Sequence, residues 1–529
     1  MKNVTEYITR HAKNMPEKTA VSFKNKQINF LELNQRINKF CHSLTELGVK
    51  PKDKVLFFVK PNLDFAAITF ALFRMGAVSV FIDPGMKREY FLKAIEEVDP
   101  DVLVGIPKVH ILKLLKPKYF KNIRLSIQTG FFPGLGSRLY SAFKTASTEF
   151  ETYRPDESDL AAILYTSGGT GSPKGVEYSH DIFINQTKML RDAFHLSPED
   201  IDIPGFPLFS FFSLAIGMRS HVPRLDASKP SAVNPEELYE DIQSSQASFL
   251  AGSPAIWSKL ADYCLEKKLK LPTVKHVVMF GAPVDIKLHL KFSQLLSKGT
   301  TYTPYGATEA LPVSCISGEE ILKQHKSAFL EGEGICVGAP LRGVDLKIMR
   351  MNPNAVDNFD DWEELNSGEI GEIVVSSKNV TKNYYKNVDA TSRAKIFDGQ
   401  RIWHRMGDVG YLDSQGRLWF CGRQKHVVFD GKDYFFPAQI ESVFNQHPKV
   451  LRSALVQNLE TKKPLVIVQR RDRKEELDSM FLMDLKNLAQ THQVTKKIGQ
   501  FVVKTDLPVD VRHNIKIDRE QLSKDISYG

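Results

Sequence analysis

A chain of 529 residues, 42% hydrophobic and 25% charged, is long enough for roughly two to four domains with cores of their own, and its five cysteines, scattered singly with no C-x-x-C pair, argue against a disulfide framework and a zinc site. The net charge of +9 brings nucleic acid and anionic membranes into view, but no zinc-finger, RNP-type or basic-zipper pattern goes with it, so nucleic acid is set aside and an anionic small substrate fits. No run of ~18 apolar residues lacks charge, since the nearest candidate is broken by Arg74 and Gly76, and the opening stretch has no apolar signal-peptide centre; a cytoplasmic location is expected.

In chain order, "INFLELNQRINKFCHSLTELGV" places Phe30, Leu33, Ile37, Phe40, Leu44 and Leu47 near helical spacing. "DKVLFFVK" reads as a strand, "LDFAAITFALFRMGA" as a helix and "VSVFIDP" as a strand, and "KREYFLKAIEEVDPDVLVGI" as a helix running into a strand. Such alternation signals βαβ units and a parallel sheet. The strand "DLAAILYTS" enters the glycine-rich loop "LYTSGGTGSPKGVEYSH", and "SHDIFINQTKMLRDAF" follows as a helix. Further strands are expected at "ASFLAGS", "VKHVVMFGAP" and "TTYTPYG". From about Val337 short strands with Gly and Asp turns announce an antiparallel or mixed module. Beyond Arg423 come "PAQIESVFNQHP" (helix), "VLRSALVQ" and "KPLVIVQRR" (strands) and "LDSMFLMDLKNLAQTH" (helix). The expected fold is α/β: a large N-terminal domain of stacked mixed sheets with helices and a β-rich module, residues 1–422, and a small mobile α+β domain, residues 423–529, with the boundary near Gly422 to Lys425.

Five polar stretches fall where strands end, the place where open α/β sheets bind ligands. The glycine-rich loop has the composition of a phosphate cradle, yet Pro173 precedes Lys174 and Gly175 follows it, so it is not the Gly-Lys-Ser/Thr loop that opens a helix. In "TPYGATEALP", Tyr305 can stack on a base, Thr308 can bond a phosphate and Glu309 can hold Mg²⁺ through a hard oxygen. In "WHRMGDVGYLD", the Asp408 carboxylate can accept from both hydroxyls of a ribose. Arg423 in "FCGRQKH" opens the last domain, and Lys516 stands between two isoleucines in "NIKIDR". Singly, each stretch reads more simply as a loop, a turn, a packed aromatic or a solvent-facing strand position; their joint order sets them apart.

That order resembles the adenylate-forming superfamily of acyl-CoA synthetases, peptide-synthetase adenylation domains and luciferases, along nearly the whole chain. "YTSGGTGSPKG", "FGAP", "YGATE", "GEIGEI", "GDVGYLD", "FCGR" and "NIKIDR" look like its successive motifs. The resemblance implies ATP and a fatty acid as ligands and Mg²⁺ as cofactor. It places Thr166, Ser167, Gly168, Gly169, Thr170, Gly171 and Lys174 at the phosphates and Gly281, Ala282 and Pro283 beside adenine. Tyr305, Gly306, Asp408 and Arg423 complete the nucleotide site; Thr308, Glu309 (also the Mg²⁺ ligand) and Lys516 are the catalytic set; Lys425 is the hinge. Gly169 replaces the usual Ser or Thr, Met406 stands where Thr is common, and Ser210 replaces a gating histidine. Phe209, Ser210 and Phe211, within the apolar stretch "FPLFSFFSLAIG", are the acyl-pocket candidates, although core packing explains the stretch equally well.

"FIDPGMKREYFLKAIEEVDPDVLVGIPKVH", "TPYGATEALPVSCI", "IWHRMGDVGYLDSQGRLWFCGRQKH" and "PVDVRHNIKIDR" look more narrowly like the β-lactone synthetases of long-chain olefin biosynthesis. This implies activation of a β-hydroxy fatty acid and ring closure by its own hydroxyl. The bulky "DYFF", Asp433–Phe436, suits closing a thiol tunnel rather than opening one. A fatty acyl-CoA or acyl-AMP ligase stays open, as does a non-catalytic nucleotide- or acyl-binding protein; CoA as second acceptor is undecided, and partner enzymes would belong to a lipid pathway. Finally, "PKVHILKLLKPKYFKNIR" is basic with interleaved apolar residues and is followed by Phe131 and Phe132, a surface that suits peripheral contact with anionic membrane, although an ordinary helix and loop explains it too.

Overall fold

The computed structural model describes the backbone of every residue except 131, 132, 135, 141, 142, 144–146, 167–172, 357, 361, 400, 473–478, 510–516, 528 and 529; for Thr166, Ser479 and residues 525–527 it describes the backbone alone. Phe131, Phe132, Lys516 and the loop residues Ser167 to Gly171 therefore lie outside the described residues.

Two large sheets carry the N-terminal part. In the first, of eight strands, Ile201–Pro204, Phe249–Gly252, His276–Met279 and Thr300–Ala307 run parallel, with antiparallel strands at both edges. In the second, of seven strands, Val102–Gly105, Lys54–Phe58, Val78–Ile82 and Leu160–Thr166 run parallel before an antiparallel edge strand, Lys174–Ser179. Their short apolar runs were readable because parallel strands are covered on both faces. The glycine-rich stretch thus leads from strand Leu160–Thr166 back into strand Lys174–Ser179, not into a helix, and it is this return strand that the sequence did not announce.

Helices fill the space against these sheets. Phe30–Glu46 begins with a capping box, in which Asn29 and Glu32 satisfy each other's backbone N–H, and it buries Leu33, Ile37, Phe40 and Leu44. Phe65–Arg74 is buried along its whole length. Arg74 at its end is 2% exposed, and its guanidinium donates to the Asn38 side chain and to Thr9 Oγ1. The most apolar stretch of the chain is a core helix, and among the described residues no helix is long and apolar enough to cross a membrane.

The β-rich module is a six-stranded antiparallel sheet built on Val344–Met349, Gly371–Ser377, Arg401–Leu412 and Leu418–Arg423. Residues beyond it form a three-stranded sheet, Val450–Gln457, Pro464–Arg470 and Gln500–Lys504, with helices Pro437–Phe444, Ser479–Thr491 and Arg519–Ser527. This smaller α+β unit has its own core around Ile440, Phe444, Val466 and Phe481. At the junction Gly422 has φ +138°, and a Cβ there would lie 2.9 Å from the Pro437 ring, so only glycine lets the helix Pro437–Phe444 approach the strand that precedes it. The α/β architecture is as the sequence led one to expect.

Candidate active site

The parallel strands of both large sheets point their C-terminal ends at one cleft of about 3560 Å³, larger than the ~300–1,000 Å³ of an ordinary ligand pocket. The turns after them supply its walls: Asp83 and Pro84, Ile106 to Val109, Phe206 to Phe209, and Phe280 to Pro283. The antiparallel module contributes Met406, Gly407 and Asp408, and Ile517 and Arg519 close one side from the C-terminal part. Gly281, Ala282, Pro283, Tyr305, Gly306, Thr308, Glu309, Lys174, Asp408, Arg423 and Lys425 all line it.

Thr308 and Glu309 owe their position to a hairpin. Strand Thr300–Ala307 pairs antiparallel with Ala310–Ser317, and Ala307 faces Ala310, so the two residues between them form the turn. Gly306 lies where the register shifts, and a Cβ on it would lie 2.7 Å from the Ala310 carbonyl oxygen. The Thr308 carbonyl accepts from the Tyr178 hydroxyl at 2.5 Å. The Glu309 carbonyl accepts from the Thr381 N–H at 2.9 Å and from its hydroxyl at 3.2 Å.

Around the Glu309 carboxylate stand groups that the sequence did not single out. Tyr384 donates its hydroxyl to Glu309 Oε1 at 2.6 Å, and burial, then the Glu309 charge, holds this phenol above the usual range, so it stays a donor. The Lys174 ammonium lies 4.7 Å from the centre of the Tyr384 ring; the bridge between Val176 and Tyr384 brings the two segments together. Behind them the Lys395 amine, 3% exposed, donates to Thr381 Oγ1 at 3.2 Å. Burial pulls Lys395 down to about 7, with Glu309 opposing. His404, its cross-strand neighbour, is driven well below the usual imidazole range by burial and then by Lys395. No motif marks Tyr384 or Lys395, which lie far along the chain from Glu309, Tyr384 at an isolated bridge and Lys395 on a strand of the antiparallel module.

A second network holds the expected ribose carboxylate. Asp408 and Arg423 are register partners on neighbouring strands, with Arg423 Nη1 3.1 Å from Asp408 Oδ1. Asp408 Oδ2 accepts from the Tyr305 hydroxyl at 2.7 Å. Tyr305 is 9% exposed and sits in the core cluster with Met406 while still reaching the cleft, so it serves both as packed aromatic and as donor. Deeper in the module, Arg405 grips Glu372 of "GEIGEI" with two nitrogens at 2.8 and 2.7 Å, which fixes the strand that carries Asp408.

The apolar arm is aromatic. Tyr178, bonded to the hairpin, lies 5.1 Å from Phe183, which lies 6.2 Å from Phe212, which lies 5.8 Å from Phe209. Phe209 stacks on Phe280 at 4.3 Å, and all five line the cleft. Phe211 also lines it, packed parallel to Phe65 at 5.9 Å. Ser210 does not: it is buried in the first turn of helix Ser210–Ile216, and its hydroxyl turns back to the Pro207 carbonyl at 2.6 Å.

The segment expected to close a tunnel also lies elsewhere. Val428–Phe429 and Tyr434–Phe435 form a hairpin whose turn is tied by Asp430 Oδ1, which accepts from the N–H of Lys432 and Asp433. Phe429 and Tyr434 are 43% and 53% exposed and pack on each other at 4.7 Å, and neither they nor their neighbours up to Phe436 line the cleft. Lys425, the expected hinge, follows the strand Leu418–Arg423 in a short 3₁₀ turn and pairs with Glu520 at 3.1 Å.

Among the described residues no group of three or more metal-ligating side chains stands together. Glu309 supplies the one carboxylate of the turn. That fits Mg²⁺, which takes one or two carboxylates and completes its shell with phosphate oxygens and water.

Comparison with known proteins agrees with this geometry. The family described as AMP-binding enzyme matches residues 8–385. An olefin β-lactone synthetase of Stenotrophomonas maltophilia (strain K279a) is 34% identical over 507 residues, covering 94% of this chain and 90% of its own. Among solved structures, an amide bond synthetase of Marinactinospora thermotolerans superposes with a TM-score of 0.82 at 20% identity, over 99% of both chains. The O-succinylbenzoate coenzyme A synthetase of Bacillus subtilis, solved with ATP and a magnesium ion, has a TM-score of 0.78 at 20% identity, again over 99% of both chains.

Proposed function

The chain belongs to the AMP-binding enzyme family and is an ATP-dependent, adenylate-forming ligase; on that premise we propose that its acid is a long-chain β-hydroxy acid and that the acyl-adenylate closes on its own hydroxyl to give a β-lactone. In the first step a carboxylate oxygen attacks the α-phosphorus of ATP, and pyrophosphate leaves with the electron pair of the broken P–O bond. In the second, the β-hydroxyl oxygen attacks the acyl carbonyl, its proton is lost, and the bond to the phosphate oxygen breaks to release AMP.

This chain's residues divide the work as follows. Lys174 and Lys516 supply positive charge where the triphosphate gathers negative charge. Asp408 receives the ribose and is held by Tyr305 and Arg423; Gly281 to Pro283 flank adenine. Glu309 would hold Mg²⁺, which when bound neutralises phosphate charge. Tyr384 orients the Glu309 carboxylate. The aromatic arm takes the alkyl chain and keeps water from the activated carbonyl, so that the attached hydroxyl competes against little else. Residues 423–529 are read as a mobile unit that turns about Lys425 between the steps, in a cytoplasmic enzyme that hands its product to partners in lipid metabolism.

The observation that carries this reading is the unbroken aromatic path from the Thr308 carbonyl through Tyr178 and Phe183 to Phe209 and Phe280. It joins the phosphate-side turn to an apolar wall suited to an alkyl chain. The relationship to an olefin β-lactone synthetase supports the ring closure. Mass spectrometry after incubation with ATP, Mg²⁺ and a β-hydroxy fatty acid is the test. AMP and a β-lactone are expected without CoA, and an unsubstituted acid should stall as bound acyl-adenylate. Accumulation of an acyl-CoA from an unsubstituted acid, with AMP release strongly accelerated by CoA, would make the protein an acyl-CoA ligase instead.

A further inference from the structure

Helix Pro107–Leu115 follows the strand Val102–Gly105 and forms part of the cleft rim. One side is fixed: Val109 is 6% and His110 2% exposed, and a His110 ring nitrogen contacts the Gly105 carbonyl at 3.2 Å. The other side is apolar and open. Ile111 is 41%, Leu114 68% and Leu115 67% exposed, which makes Leu114 and Leu115 two of the barest large aliphatic side chains among the described residues. Ile111 and Leu115 also line the cleft, so the bare face continues into the cavity rather than standing apart from it.

The surroundings of this face carry one sign of charge. From Pro107 to Arg124 there are six basic residues and no acidic one. Arg124 is engaged by Asp53, and Lys113 donates to Ser126 Oγ at 2.8 Å. Lys108, Lys116, Lys118 and Lys121 are exposed, and among the described residues no ion pair engages them. A helix lying flat with leucines outward and lysines at its flanks is the arrangement that seats in the headgroup layer of an anionic bilayer, where apolar area and lysine charge both contribute.

We propose that the face made by Ile111, Leu114 and Leu115, with Lys108, Lys116, Lys118 and Lys121 around it, is a docking surface for an anionic phospholipid bilayer and sets the mouth of the cleft against the membrane. An acid with a long alkyl chain partitions into such a bilayer, so the surface would deliver it to the cavity without passage through water. That use rests on the activity proposed above; the docking itself does not. Vesicle binding is therefore measured without substrate, so that its failure and the failure of the lactone reading are separate results.

The test is flotation of the full chain with phosphatidylglycerol–phosphatidylcholine vesicles and with phosphatidylcholine vesicles. Co-flotation with the anionic vesicles alone, reversed by salt, is expected. Leu114→Asp, and separately Lys116→Glu with Lys118→Glu, should lower the bound fraction on the order of tenfold or more. Melting temperature and ATP–pyrophosphate exchange with a soluble short-chain acid should be unchanged, since none of the three residues lines the cleft. Absence of flotation overturns the proposal, as does flotation that both variants retain. If vesicles are not bound but Leu114→Asp abolishes self-association in sedimentation velocity, the face belongs to a second copy of the chain and the proposal is wrong.

Discussion

Tyr384 donates its hydroxyl to Oε1 of Glu309 at 2.6 Å across 75 positions of sequence, so the acidic side chain at the hairpin turn is held by a phenol from another part of the fold. Tyr384→Phe keeps the ring under the Lys174 ammonium and removes only this bond. Without it the Glu309 carboxylate is no longer held in one orientation, so ATP–pyrophosphate exchange should fall on the order of tenfold or more; a hydrogen bond to a charged group also contributes about 1.5–3 kcal/mol to stability, so the melting temperature should fall by a few degrees. Glu309→Gln should shift the Mg²⁺ titration of the same reaction to higher concentration. A Tyr384→Phe enzyme with wild-type exchange at every Mg²⁺ level would show that the bond serves packing alone.

Lys516→Ala should lower acyl-adenylate formation by about 10²-fold or more, since one charge partner of the transition state is lost. Single-turnover formation of the adenylate is the measurement. Unaltered formation in a soluble variant would mean that another cation, Lys174 among them, does this work.

Asp408→Asn removes the charge that Arg423 meets at 3.1 Å while leaving an acceptor for Tyr305. The KM for ATP should rise on the order of tenfold while kcat moves less, the pattern of lost binding shared by ground and transition states. Asp408→Ala should in addition lower stability, by about 1–3 kcal/mol, because the buried Tyr305 hydroxyl loses its acceptor. Equal KM values for wild type and Asp408→Asn would remove the ribose from this carboxylate.

Asp202 gives a pH signature that belongs to folding. It is 0% exposed, accepts from Ser213 Oγ at 2.7 Å, and burial raises its carboxyl from 3.8 to about 7. Between those two values the folded chain binds more protons than the unfolded one, so this group's contribution to stability falls as pH rises from 3.8 to about 7 and levels off above. Asp202→Asn has no such loss. Its melting temperature should gain on that of wild type between pH ~5 and pH ~8. Parallel melting curves across that range, or a gap that closes instead, would contradict the assignment.

Much of the frame was legible because it rests on local signals. The parallel strands announced themselves as short apolar runs, and Tyr305, Thr308, Asp408 and Arg423 fall in motifs whose spacing a single strand or turn preserves. What escaped notice depends on pairing between distant segments. Tyr384 reaches Glu309 through the bridge between its neighbourhood and the strand Lys174–Ser179, and Lys395 reaches Thr381 from inside an antiparallel sheet; neither leaves a periodic trace. Ser210 misled because its stretch is mostly apolar, which hides that one turn of helix points its hydroxyl backward to Pro207. "DYFF" misled because bulk was read as closure, whereas the Asp430-tied turn folds the segment onto itself at the surface.

The hairpin that carries Thr308 and Glu309 has one more consequence, for what evolution and engineering can vary here. Ala307 faces Ala310 across the turn, and the pairing continues from Tyr305 opposite Ser314 to Tyr302 opposite Ser317. Side chains on paired strands alternate between faces with a period of two. Inserting or deleting a single residue in the turn would either turn the acid away from the cavity or swap the inner and outer faces of the edge strand, moving buried Val313 outward. The length of this tip is therefore constrained as tightly as the two residues, Thr308 and Glu309, that it presents, and homologues that differ by an indel at this point should have lost the reaction.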